Sequence, residues 1–85
     1  MYFVYFAKSL RNQKVYVGFT GKEPVVRVDE HNKGSNIWSK NNGPFKLIYF
    51  ESYICKKDAQ NREEFYKMGF GKQIKLAIIK ELNLA

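Results

Sequence analysis

The sequence predicts a mixed α/β (α+β) domain, a three-stranded antiparallel sheet flanked by three helices in the order strand, strand, helix, strand, helix, helix. Three observations carry that expectation. Residues 2–8 and 14–20 are runs of aromatic and β-branched residues around a short polar connection, the pattern of a β-hairpin. A third run of the same kind follows at residues 45–52. The C-terminal part then turns to helical spacing over residues 57–68 and 72–83. With 85 residues, positions 1–85 have room for one domain and one modest core.

The first two strands read YFVYFAK and KVYVGFT, joined by Ser9 to Gln13 with Asn12 as the turn residue. Both are apolar on both faces, which calls for a sheet covered on two sides. Thr20-Gly21-Lys22-Glu23-Pro24 leads into a helix with Pro24 in its first turn, where a missing N–H is no loss. That helix is expected to reach Asn32 and to end at Gly34. Val25 and Val28 are spaced to face the core, and Arg27 and His31, four apart, share one face. Gly34 to Pro44 reads as a polar loop broken by Ile37 and Trp38, and so long a loop in a small domain suggests binding or packing through Trp38. After the third strand, Ala59, Arg62, Glu63, Tyr66 and Lys67 mark the turns of a helix stopped by Gly69. Ile74, Ile78 and Leu82 recur every four residues along the last helix.

Composition narrows the function classes. Seven Phe, six Tyr and one Trp supply large rings, so a small core can hold without staples. The lone Cys55 cannot form an internal disulfide and is expected as a small buried filler, and no Cys/His cluster suggests structural zinc. A reducing, intracellular (cytoplasmic) compartment is the matching expectation. No apolar run approaches the roughly 18–20 residues of a membrane span, and the N-terminal stretch reads as a strand and not as a signal peptide. Fifteen Lys and Arg against eight Asp and Glu leave a net charge of +7, the electrostatic footprint expected of a nucleic-acid binder.

Five residues then stand out together. Tyr5 lies in Phe3-Val4-Tyr5 and Tyr16 in Tyr16-Val17-Gly18, one tripeptide on each hairpin strand. Arg27 and His31 follow on one helix, and Glu63 lies in a later helix among Ala59, Arg62 and Lys67. In order, spacing and residue type the chain resembles the GIY-YIG endonuclease domain, and small stand-alone members above all, over about residues 3 to 80. Phe3 stands where the family's first motif usually has glycine, and Val4 and Val17 replace isoleucines. Residues 70–80 lack the asparagine that larger members often carry after the glutamate.

The resemblance implies Tyr5, Tyr16, Arg27, His31 and Glu63 as catalytic residues, with Glu63 holding one Mg²⁺ or Mn²⁺. The chemistry of the residues agrees. A hard carboxylate oxygen suits such an ion, which keeps several waters and few protein ligands. An arginine can hold a non-bridging phosphate oxygen and stabilise developing charge. The resemblance assigns water activation to Tyr16. A free phenol titrates near pH ~10, so this role needs a neighbouring cation, or else His31 accepts the proton with Tyr16 as relay. Taken singly, each of the five also has an ordinary reading as a packed tyrosine or a solvated helix residue.

Lys14, Lys33, Lys40, Lys67 and Lys72, with Lys8 and Lys46, are candidates for a phosphate-tracking groove, and Trp38 is a candidate for stacking on a base or for packing. The implied function is a divalent-metal-dependent nuclease acting on DNA (duplex or branched) or RNA with little sequence specificity, in repair, recombination or mobile-element processing. The alternative is a catalytically inactive nucleic-acid-binding module of the same fold.

Overall fold

A computed structural model of the chain describes residues 1–34 and 37–84, the side chains of 37–39 and 84 excepted. Strands β1 (Tyr2–Ser9), β2 (Val15–Thr20) and β3 (Phe45–Tyr53) form one antiparallel sheet in the order β2-β1-β3. Helices α1 (Pro24–Asn32), α2 (Ile37–Asn42), α3 (Lys56–Tyr66) and α4 (Gly69–Leu84) flank it. No helix among the described residues is long and apolar enough to cross a membrane.

The order of elements is the one expected from sequence, with one addition. The stretch read as a loop from Gly34 to Pro44 contains α2. Between Gly34 and Gly43 there is neither glycine nor proline to break a helical turn, although asparagine and serine make it a poor helix former by composition. At the hairpin, the left-handed residue is Gln13 (φ 65°). Asn12 braces the turn, its Oδ1 accepting the Lys14 N–H at 2.9 Å. Buried Ser9 gathers the other end: its Oγ accepts the N–H groups of Arg11 and Asn12 and donates to the Asn42 carbonyl at 2.6 Å.

Because β1 is central, its alternate side chains are buried on opposite faces. Val4 and Phe6 pack with Ala59 and Tyr66 under α3 and α4, and Tyr5 and Ala7 pack with Val28 and Phe45 under α1. Sequence spacing put Val25 and Val28 in the core, but α1 buries Pro24 and Val28, one turn apart, and leaves Val25 exposed. Cys55, expected as buried filler, is exposed in the bend before α3. Phe3, the bulky departure in the first tripeptide, is buried edge-on against Phe50, with ring centroids 5.9 Å apart.

A polar network locks α3 to the sheet. Glu51 of β3 accepts hydrogen bonds from the hydroxyls of Tyr49 and Tyr53, both at 2.7 Å, from Arg62 Nε at 3.0 Å, and from the buried Tyr66 hydroxyl. The Arg62 guanidinium also lies 4.5 Å from the Tyr66 ring centre, a cation–π contact. Burial alone would raise the Glu51 carboxyl, but the hydrogen bonds from Tyr66, Tyr49, Tyr53 and Arg62 outweigh it and hold the group below its ordinary value. At the far end of α3, Gly71 of α4 sits so close to the Phe65 carbonyl that a Cβ would overlap it.

Glu51→Ala leaves three hydroxyls and a guanidinium short of their acceptor and should destabilise the fold by roughly 2–4 kcal/mol in urea unfolding. Because the folded-state carboxyl is depressed, the wild-type contribution is complete above the ordinary carboxylate range and fades as pH falls below it. The gap between wild type and variant should therefore close in acid.

Candidate functional site

A cleft of about 230 Å³ opens where the outer edge of β2 meets α1 and α3, and it is lined by Tyr5, Tyr16, Arg27, His31 and Glu63 together with Gly18. All five side chains singled out in the sequence therefore line one space. The hairpin register explains part of this: Tyr5 pairs with Gly18 and Ala7 with Tyr16, so both tyrosines stand on the α1 face. Glu63 comes from the helix packed on the other face and reaches the cleft at the β2 edge, beside Val17 and Phe19.

Gly18 is what lets Tyr5 lie where it does. A Cβ at position 18 would overlap the Tyr5 ring and hydroxyl. The ring thus crosses its cross-strand partner and carries its hydroxyl to 3.3 Å from His31 Nε2. Burial pushes the Tyr5 phenol above its ordinary value, with the neighbouring Arg27 working against that rise. Tyr5 accordingly keeps its proton near neutrality and can donate it in a hydrogen bond. His31 is shifted the other way: burial, then repulsion from Arg27, lowers it, so the ring is neutral near pH 7 and able to take up a proton.

Arg27, a half-buried cation, is tied at 3.2 Å to Glu30, one turn along the helix, and Glu30 also takes Lys22 at 2.6 Å. Hydrogen bonds from Lys22 and then Arg27 hold the Glu30 carboxyl below its usual range. The pairing anchors Arg27 on an exposed carboxylate, which a phosphate in the cleft can compete with.

Tyr16 packs edge-on against Phe45, and its hydroxyl stands between two side-chain amides, accepting from Asn12 Nδ2 at 3.3 Å and donating to Asn42 Oδ1 at 3.4 Å. Asn32 clamps the end of α1 to the start of β3, its Nδ2 donating to the Phe45 carbonyl at 2.9 Å and its Oδ1 accepting the Phe45 N–H at 2.6 Å. That clamp sits next to His31 and fixes its helix over the sheet. Asparagine in a polar stretch looks like loop composition, so neither Asn32 nor Asn42 was singled out from sequence.

Glu63 is the lone carboxylate lining the cleft, and Lys67 Nζ lies 3.3 Å from its Oε2. Among the described residues no group of three or more His, Cys, Asp and Glu side chains is placed to hold a metal. A single carboxylate with room beside it fits a Mg²⁺-like ion that keeps its waters and takes further oxygens from a substrate phosphate. Of the lysines, Lys67 and Lys72 line a hollow that adjoins the cleft through Tyr16 and Val17, and Lys14 lines the next one. Lys33 pairs with Asp29, Lys40 is exposed on α2, and Lys8 and Lys46 line a separate hollow. The Trp38 side chain lies outside the described residues.

Comparison with known proteins bears on what such a cleft belongs to. The GIY-YIG catalytic domain matches residues 1–76. The chain belongs to the GIY-YIG family. Among curated GIY-YIG-like relatives, the UPF0213 protein of Clostridium perfringens (strain 13 / Type A) is 35% identical over 68 residues, which is 79% of this chain and 71% of the relative. The UPF0213 protein SAV0488 of Staphylococcus aureus (strain Mu50 / ATCC 700699) is 36% identical over 81 residues, 94% of this chain and 95% of the relative. No solved structure matches this GIY-YIG chain. Its sheet and helix order are those of the GIY-YIG fold, a fold associated with nucleic acids.

Gly18→Ala should drive the Tyr5 ring off β2, costing roughly 1–3 kcal/mol as other overpacked sites do. Proton NMR should then show the His31 ring titrating closer to its ordinary value, since the buried contact that holds it down is opened.

Proposed function

We propose that the cleft grips a phosphodiester of a nucleic-acid strand, DNA or RNA, and hydrolyses it with one Mg²⁺ or Mn²⁺ on Glu63. The observation that supports this reading is the convergence of one guanidinium, two phenols, a neutral imidazole and one carboxylate on a single cleft. When bound, the ion supplies positive charge and polarises a phosphoryl oxygen. Arg27 holds a non-bridging oxygen, trading part of its contact with Glu30 for it. Tyr5, protonated, donates a hydrogen bond to the phosphate or to the imidazole. His31, neutral, accepts the proton of the attacking water. Tyr16, held between Asn12 and Asn42, orients that water or relays its proton. An intracellular setting is part of the proposal, because that is where such a substrate resides.

A second reading keeps the grip without the turnover: a nucleic-acid-binding module of the same fold. Two observations favour it. Glu63 is the sole acid in the cleft and is already paired with Lys67. Family membership and the +7 charge support binding more directly than they support cleavage.

Plasmid and short oligonucleotides incubated with Mg²⁺, Mn²⁺ or chelator separate the two readings. The nuclease reading expects metal-dependent cleavage that Glu63→Gln abolishes, and that Arg27→Ala, Tyr16→Phe and His31→Ala lower by ~10²–10⁴-fold. With His31 as proton acceptor, the rate should hold through neutrality and fall only below pH ~6.5, the ordinary histidine value, because the folded-state value is depressed. Salt-sensitive binding without cleavage in any metal supports the module instead.

A further inference from the structure

Residues 67–72, Lys-Met-Gly-Phe-Gly-Lys, turn the chain from α3 into α4. Phe65 and Tyr66 take the inward positions of this corner, while Met68 and Phe70 face solvent at 65% and 68% exposure. The exposure is built in. Gly69 adopts a left-handed φ of 47°, and Gly71 is pressed against the Phe65 carbonyl with no room for a side chain. Phe70 is therefore held outward between two glycines whose backbone cannot readily rearrange.

The corner adjoins the cleft. Glu63 and Lys67 are one helical turn apart, and Lys67, Lys72 and Lys75 line a hollow of about 420 Å³ that shares Tyr16 and Val17 with the cleft. Lys72 and Lys75 are one turn apart on α4, and no carboxylate pairs with either among the described residues. Lys75 donates to the Val15 carbonyl at 3.3 Å, which fixes the cation along the β2 edge.

We propose that this corner is a base-stacking site: Phe70 takes the face of an unpaired base while Lys67, Lys72 and Lys75 hold the adjoining phosphates. The inference rests on the nucleic-acid reading above and adds the substrate class, single-stranded or frayed nucleic acid in preference to continuous duplex. An exposed ring stacks on any base whose face is open, and within a duplex those faces are covered by neighbouring base pairs. Charge selects the occupant. A second copy of this chain would bring the same lysines against these, whereas a nucleic-acid strand supplies the missing anions.

Fluorescence anisotropy tests the assignment, using a short fluorescein-labelled single strand and the blunt duplex of the same sequence, in chelator so that binding is read without cleavage. Phe70→Ala should weaken single-strand binding by roughly 5- to 100-fold, the range of a lost base–aromatic stack, and Phe70→Trp should restore it. Duplex binding should change by less than about twofold, whereas K72Q/K75Q should weaken both substrates and flatten the salt dependence. Unchanged single-strand affinity in Phe70→Ala, or equal losses on both substrates, overturns the stacking site and leaves the nucleic-acid reading intact. A wild-type dimer that Phe70→Ala converts to monomer in sedimentation also overturns it, by assigning the corner to self-association. Wild-type protein that binds neither substrate overturns both.

Discussion

The arrangement depends on one close approach, between the Tyr5 side chain and the backbone of Gly18 across the β1–β2 ladder. The ring has to lie flat over its partner for the hydroxyl to reach His31, and only a residue without a Cβ leaves that space open. The same approach puts Tyr5 beside Arg27, whose charge opposes the upward pull of burial on the phenol. A glycine that would merely weaken a strand elsewhere is here the condition for the cleft. It also accounts for the tolerance of Phe3. Bulk at that position packs against Phe50, clear of the cleft, and the close contact falls on the other strand.

The second requirement is that α3 hold its rotation on the opposite face of the sheet. Glu63 can line the cleft because its neighbour Arg62, together with Tyr66, is bonded to Glu51 of β3. Adjacent residues on the helix thus divide the work: one is fixed to the sheet and the next is presented at the β2 edge. A carboxylate taken from water is tolerable there because three hydroxyls and a guanidinium satisfy its oxygens. The three asparagines act in the same way on the other side, with Asn32 anchoring α1 to β3 and Asn12 and Asn42 holding Tyr16.

How much of this was legible in the sequence follows from what each feature depends on. The hairpin, α1, β3 and the last two helices rest on local period and composition, and the five cleft residues stand at spacings set by those elements. The Glu51 network was not legible. Its members sit in an ordinary strand and an ordinary helix, and only the strand order brings Tyr49, Tyr53, Arg62 and Tyr66 around one acid. The short α2 escaped because Asn and Ser signal loops unless tertiary contacts override them. Val25 failed as a core residue because Pro24, one turn before Val28, took the inward place. Cys55 failed because a bend, and not a packed element, lies between β3 and α3. Lys75 drew no notice since a lysine on an amphipathic helix is ordinarily just solvated.

The central claim is that one cleft gathers these groups around a phosphate, and it is most directly read by chemical-shift mapping. Isotope-labelled protein titrated with a thymidine dinucleotide in chelator should show Gly18, Arg27, His31 and Glu63 shifting together along one saturable curve. Shifts that saturate at different concentrations, or that gather on a surface away from β2, would contradict the account.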